Sequence, residues 1–248
     1  MDTNHREHNE HFVSAYAAAR VQEGWRYSDT EVAKLPVRHK DAAHAEIWRI
    51  RQASAQAVVA YLRTRPSGPV LELGCGNGWL AHHIHRHSGA QILGVDIDPQ
   101  EIAQASRVFG SERLQFECGD IFELDISQRF DHIFVVGAIQ YFADPIGLWS
   151  RLDALLTPSG EIHVLDSPVY ADRQAARQAE ERGSAYYSDL GVAQMASLFH
   201  RHTFAAFPGF EIQRESWVGR IWRRVRRNRS PFVWLIRRMR SQPSVKGL

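Results

Sequence analysis

Three glycines at alternate positions, Gly74, Gly76 and Gly78, follow a short apolar run in "VLELGCGNGWL" (70–80). Glycines placed this way after a strand permit a tight turn, positive φ and close approach of a ligand to the main chain. Carboxylates flank the loop. Glu72 stands two residues before it, Asp96 ends a second apolar run 22 positions beyond Gly74, and Asp120 follows a third. An acid about twenty residues past a glycine loop suits the hydroxyls of a ribose. Asp120 is set to accept from an adenine amino group, and Glu72 to meet a cationic group or order the loop.

Several ligands fit such a loop at first. A nucleoside triphosphate needs a Lys-Ser/Thr pair after the glycines. Trp79 and Leu80 stand there instead, and the loop has no lysine, so that reading fails. A dinucleotide fingerprint places its third glycine inside the helix; Gly78 arrives one residue early and Trp79 takes the place. The spacing to Asp96 fits a nicotinamide dinucleotide and any other adenosine-bearing cofactor equally, so spacing leaves the choice open. Glu72, Asp120 and "GAIQYF" (137–142) tip it, because a pyrophosphate gains nothing from a nearby carboxylate.

Metal and thiol chemistry find less support. His82, His83, His85 and His87 crowd one helix, and His83 and His87 are four apart, yet no carboxylate completes a known ligand spacing. They read as a polar helix face, and no metal site is expected. Cys75 and Cys118 are too few for a disulfide framework or a four-cysteine zinc site, and each reads as a small buried residue.

The elements around the loop alternate. Strands are expected at 70–73, 91–96, 114–118, 130–136 and 161–166, with helices at 79–87, 99–108 and 145–156. Strands spaced by short helices indicate a parallel sheet with helices on both faces. Right-handed crossovers bring the strands' C-terminal ends to one edge, where ligands bind. Before the sheet, residues 1–12 read as a frayed polar end, 12–24 as a helix, and 41–64 as a longer helix with Ile47, Ile50, Ala57, Val58, Tyr61 and Leu62 inward. Residues 1–64 thus form a helical cap segment, and 65–248 the sheet domain. An insertion at about 168–190 is followed by a helix over 192–203, a strand from 209 to about 217, and another over 230–237.

With 248 residues and 44% hydrophobic side chains, the chain can bury one large core. Its start has no apolar leader pattern and no run approaches a membrane span, so a cytoplasmic protein is expected. The net charge of +2 hides an asymmetry: residues 211–248 carry eleven Arg or Lys against two Glu, and the first 210 residues sum to −7. Six arginines fall within 220–229, in a basic C-terminal hairpin. Such a segment suits a solvated loop, an anionic membrane surface, or a polyanionic acceptor such as an acidic glycan or lipid-linked sugar. No base-reading fold accompanies it, which argues against nucleic acid.

The stretch resembles the class I S-adenosylmethionine-dependent methyltransferases over roughly 65–240. "VLELGCGNGWL" is similar to that family's first motif, "GVDIDPQEIAQA" to the second, "FECGDIFEL" to the third and "FDHIFVVGAIQYFADP" to the fourth. The resemblance implies a Rossmann-like seven-stranded sheet whose last strand is antiparallel, and S-adenosyl-L-methionine as cofactor. Mapped here, Glu72, Gly74, Cys75, Gly76, Asn77 and Gly78 would meet its amino-acid part and Asp96 the ribose. Ile97, Asp120 and Ile121 would surround the adenine, and Gly137 and Gln140 the methionine end. The segment after the fourth strand lacks the Asn-Pro-Pro-Tyr and Pro-Cys patterns of adenine and cytosine methylation. "AIQYFADP" resembles the small-molecule and sugar-modifying branches, so transfer to a small molecule or glycan, at oxygen, is expected. Tyr16, Trp25, Tyr27, Tyr141, Tyr186, Tyr187 and His200 are candidates for the acceptor pocket, with His200 or Tyr141 as a base. Two alternatives are a catalytically silent cofactor-binding partner and, third, an NAD-dependent oxidoreductase.

Overall fold

A computed structural model describes residues 3–36, 42–66, 68–213 and 232–239. Five parallel strands, β1 (Val70–Leu73), β2 (Ile92–Asp96), β3 (Leu114–Cys118), β4 (Phe130–Val136) and β5 (Leu156–Leu165), form most of a seven-stranded sheet. Two short strands, β6 (Glu211–Ile212) and β7 (Leu235–Arg238), complete it in the order β3-β2-β1-β4-β5-β7-β6, with β7 antiparallel to β5. The expected architecture is therefore present, including the antiparallel final strand.

The sheet's two faces follow the period-two alternation of its strands. Leu71 and Leu73 join Val95, Ile133, Val135, Ile162 and Val164 on the face covered by α6 (Pro145–Asp153), which contributes Leu148, Trp149 and Leu152. Val70, Ile92, Leu114 and Phe134 face the opposite way, against α3 (Ala42–Leu62) and α4 (Trp79–Ser88), through Val58, Leu80 and Ile84. Glu72 shares Val70's parity, so its carboxylate enters this buried layer, whose apolar side chains lie beside it and whose other polar members, His132, Glu161 and His163, sit on β4 and β5.

Asp-Pro pairs start two of the crossover helices. At α5 (Pro99–Phe109) the Asp98 side chain accepts from Gln100 N–H and Glu101 N–H; at α6 the Asp144 side chain accepts from Gly147 N–H. Each aspartate satisfies donors that the first turn leaves open, and proline at the first helical position costs none.

Several boundaries depart from expectation. The first helix, α1 (Thr3–Gln22), begins nine residues earlier than expected, because its first half is tied to the sheet edge: Asn9 Nδ2 donates to Asp120 Oδ2 at 2.9 Å. The helix expected over 145–156 ends at Asp153, and β5 begins five residues before the expected 161, reaching back to pair Leu156 with Phe130 across a register shift. Of the helix expected over 192–203 only α8 (Met195–Leu198) forms. Thr203 instead bridges Tyr170, so tertiary pairing overrides local propensity. The remaining helices are α2 (Asp29–Val32) and α7 (Arg173–Asp189), the latter within the expected insertion. The arginine-rich stretch 220–229 and the strand expected up to about 217 lie outside the described residues beyond Gln213. No helix among the described residues is long and apolar enough to cross a membrane.

Candidate active site

The C-terminal ends of β1, β2, β4 and β5 meet around the glycine loop. Gly74, Gly76 and Gly78 all take positive φ, at 75°, 51° and 75°. They do so for different reasons. A Cβ on Gly78 would stand 2.6 Å from the Phe116 ring, so this glycine serves packing between loop and sheet. A Cβ on Gly76 would meet only Glu101 Oε2 at 3.7 Å, in cavity space. Gly76 N–H donates to Asp96 Oδ2 at 2.8 Å, and Asp98 N–H donates to Oδ1 at 2.9 Å, so the loop and the second strand's acid hold each other.

Two cavities meet across this loop. The first, of about 370 Å³, is bounded by Asp96, Ile97, Asp120 and Ile121 on the sheet side and by His8, Asn9 and Phe12 of α1. The second, of about 230 Å³, is bounded by Glu72, Cys75, Asn77, Gln140 and Asp166, and by Arg20, Trp48 and Arg51. Tyr16, Gly74, Gly76, Gly137 and Tyr141 line both, so a ligand spanning the two must cross them. The rings of Tyr16 and Tyr141 meet edge to face with centroids 5.3 Å apart, and Phe12 stacks on Tyr16 at 5.7 Å.

The second cavity is electrostatically unusual. Glu72 Oε2 and Gln140 Oε1 are buried acceptors without a hydrogen-bond partner. Burial, with Asp96 nearby, pushes the Glu72 carboxyl well above its ordinary range. An unpaired buried acceptor is costly, and two around one cavity fit a ligand that brings donors or positive charge. Burial also raises Asp96, against the pull of its backbone N–H partners. Asp166, just past the end of β5, takes a left-handed φ of 50° although it is not glycine. Ser54 Oγ donates to its Oδ1 at 2.6 Å, and burial raises its carboxyl to about 6. Such backbone outliers cluster at functional sites.

Among the residues expected to bind a cofactor, eleven line one cavity or the other and Gly78 lines neither. The Cys75 thiol is pushed up by burial, which leaves it protonated and without nucleophilic character. Of the acceptor-pocket candidates, Tyr16, Tyr27 and Tyr141 line the second cavity, whereas His200 lines the first. Tyr187 packs with Ala15, Ala19 and Met195, and Tyr186 is exposed with its hydroxyl donating to Glu23 Oε1. Trp25 lines neither cavity but carries the Arg20 and Arg51 guanidinium groups on its ring. Sequence reading missed Arg20, Trp48, Arg51 and Asp166. Arg51 lies one turn beyond the inward Ile47 on its helix, and Asp166 ends a strand at the ligand edge, which were the available signals.

A further cluster was not foreseen. His132 on β4 and Glu161 and His163 on β5 bring their polar atoms within 4.8 Å of one another, all buried. Glu161 is already saturated: Arg238 Nε lies 2.8 Å from Oε1, Tyr61 donates to Oε2 at 2.6 Å, and Arg65 Nε approaches Oε2 at 3.5 Å. Two guanidinium groups on one carboxylate disfavour a divalent ion there, and the cluster serves as a buried network joining α3 to β5 and β7.

Comparison with known proteins agrees with this geometry. Residues 71–162 match a family model described as a methyltransferase domain. The trans-aconitate 2-methyltransferase of Deinococcus radiodurans is 32% identical over 145 residues, 57% of this chain and 54% of that protein. The sterol 24-C-methyltransferase of Saccharomyces cerevisiae is 28% identical over 136 residues, 53% of this chain and 35% of that protein. The chain thus spans between a third and about half of these relatives' length. Among solved structures, the plantazolicin methyltransferase BpumL in complex with SAH aligns with a TM-score of 0.56 at 16% identity, over 94% of this chain and 98% of that one. The magnesium protoporphyrin IX methyltransferase of Synechocystis PCC 6803, with bound SAH, aligns with a TM-score of 0.56 at 15% identity, over 90% and 94%. Motifs, sheet order and the family match agree: residues 71–162 carry a methyltransferase domain, and the chain shares its fold with methyltransferases solved with SAH bound.

Proposed function

We propose that this chain transfers the methyl group of S-adenosylmethionine to a small molecule. The observation that carries the reading is the pair of cavities joined over Gly74, Gly76 and Gly137. One is furnished for an adenosine, with acids at the ribose and adenine positions. The other holds two unpaired buried acceptors that suit an ammonium group. When bound, the cofactor supplies a sulfonium-activated methyl group for in-line displacement.

The chain's own contribution is mainly positional. Asp96 is preorganised by Gly76 and Asp98 N–H groups and would hold the ribose hydroxyls; Asp120, braced by Asn9, would meet the adenine amino edge. Glu72 and Gln140 would take the donors at the cofactor's amino-acid end. Tyr16 and Tyr141 close the wall between the cavities and exclude water from the reacting atoms. Orientation alone lowers a displacement barrier substantially. Asp166 is the group placed to take a proton from a hydroxyl acceptor, since its carboxyl opens on the second cavity and titrates near the working range. This role supports oxygen as the accepting atom and displaces His200, which faces the first cavity.

The test is incubation with methyl-labelled S-adenosylmethionine and a small-metabolite extract. Label in a small-molecule product, lost on adding S-adenosylhomocysteine, is expected. Binding of S-adenosylhomocysteine without any transfer would instead favour a catalytically silent cofactor-binding protein.

A further inference from the structure

The second cavity holds two guanidinium groups that make no direct ion pair among the described residues, although the carboxyls of Glu72, Glu101 and Asp166 line the same space. Arg20 and Arg51 both line it. Their guanidinium groups lie 5.1 and 4.7 Å from the ring of Trp25, and Arg51 also lies 4.9 Å from the ring of Trp48. Neither has an ion-pair or hydrogen-bond partner among the described residues, and Arg20 Nε is buried without one. Of the cavity's carboxyls, Glu101 lies 3.5 Å from Arg26 and Asp166 accepts from Ser54 through Oδ1, and neither these nor Glu72 makes an ion pair with Arg20 or Arg51. Like charges that share an aromatic ring in a desolvated cavity repel each other, and burial with Arg20 nearby pulls the Arg51 guanidinium below its ordinary value. The arrangement is costly until anions enter.

A methionine-bearing cofactor brings one carboxylate, whereas the cavity offers two forked donors. Arg20 lies 5.7 Å from the ring of Tyr16, on the wall that both cavities share, whereas Arg51 stands one helical turn before Ser54, whose hydroxyl holds Asp166 at the end of β5. Resting on the methyltransferase reading above, we propose that Arg51 is an acceptor-binding residue that anchors a carboxylate, so that the substrate class is a small organic acid. The forked guanidinium suits bidentate pairing with a carboxylate, and the Trp25 and Trp48 rings fix its plane.

The labelled-methyl assay on an extract separated by anion exchange tests this, with calorimetry of S-adenosylhomocysteine run on the same proteins. Transfer is expected only into the retained, anionic fraction. Arg51→Met, which keeps the stem packed on the indoles, should cut that transfer at least tenfold while leaving S-adenosylhomocysteine affinity within threefold. Arg51→Lys, with charge but no fork, should fall between. Transfer into the unretained fraction, or transfer indifferent to Arg51→Met, overturns the inference. Equal loss of S-adenosylhomocysteine affinity in Arg51→Met also overturns it, since Arg51 would then hold the cofactor. No transfer into any fraction while S-adenosylhomocysteine still binds defeats the enzymatic reading itself, and this inference with it.

Discussion

At the scale of single residues, the loop glycines separate into two kinds. Gly76 borders open cavity and Gly78 borders the Phe116 ring. Left-handed backbone alone costs an alanine about 1–2 kcal/mol at either position, but the consequences diverge. Gly78→Ala adds an overpacking clash and should lower the melting temperature strongly, while the folded fraction keeps its S-adenosylhomocysteine affinity. Gly76→Ala should melt only modestly earlier and lose at least tenfold in affinity; thermal melts paired with calorimetry read both. Asp166 gives a second prediction. As a base titrating at about 6, it makes turnover rise with pH through that value and level off above it. Asp166→Asn should remove this limb and cut the plateau by 10²-fold or more. The stability sign is opposite. Because the folded state holds this proton more tightly than an unfolded aspartate near 3.9, the wild type loses stability as pH rises between about 4 and 6. Asn, which tolerates left-handed backbone and can still accept from Ser54, should therefore match or exceed the wild-type melting temperature at pH 7.

At the scale of elements, α1 is the part whose role the sequence under-reports. Its mixed pattern of His, Asn and Ala gives little amphipathic signal, and its helical reach back to Thr3 depends on contacts such as Asn9 to Asp120. The sheet was far more legible. Five strands read from apolar runs fall where the structure has them, because buried parallel strands demand such runs. Boundaries set by partners were not legible: β5 begins at Leu156 only because Phe130 lies opposite, and the 192–203 stretch opens to pair with Tyr170. The site divides likewise. Motif residues on strand ends were visible by spacing, whereas Arg20, Arg51 and Asp166 depend on how α1, α3 and β5 converge. Since α1 supplies His8, Asn9, Phe12 and Tyr16 to the first cavity, occupancy should order it. Amide hydrogen exchange in α1 should slow at least tenfold on adding saturating S-adenosylhomocysteine, with β1 and β4 little changed. Equal slowing across sheet and helix would contradict that division.

At the scale of the whole molecule, a Rossmann-like sheet has its ligand edge roofed by helices from the N-terminal 62 residues, with arginines and carboxyls mixed in one cavity and acids without arginine or lysine around the other. That distribution suits a ligand with a neutral adenosine at one end and a charged amino acid at the other. It suits a pyrophosphate poorly, because Glu72 and Asp96 flank the loop on its two sides. The choice of cofactor is read most directly by isothermal titration calorimetry. The chain is titrated with S-adenosylhomocysteine and, separately, with NAD. Saturable one-to-one binding of S-adenosylhomocysteine, weakened at least tenfold by Asp96→Ala, with no heat from NAD, is the predicted result. Binding of NAD in place of S-adenosylhomocysteine, or no binding of S-adenosylhomocysteine by folded protein, would contradict it.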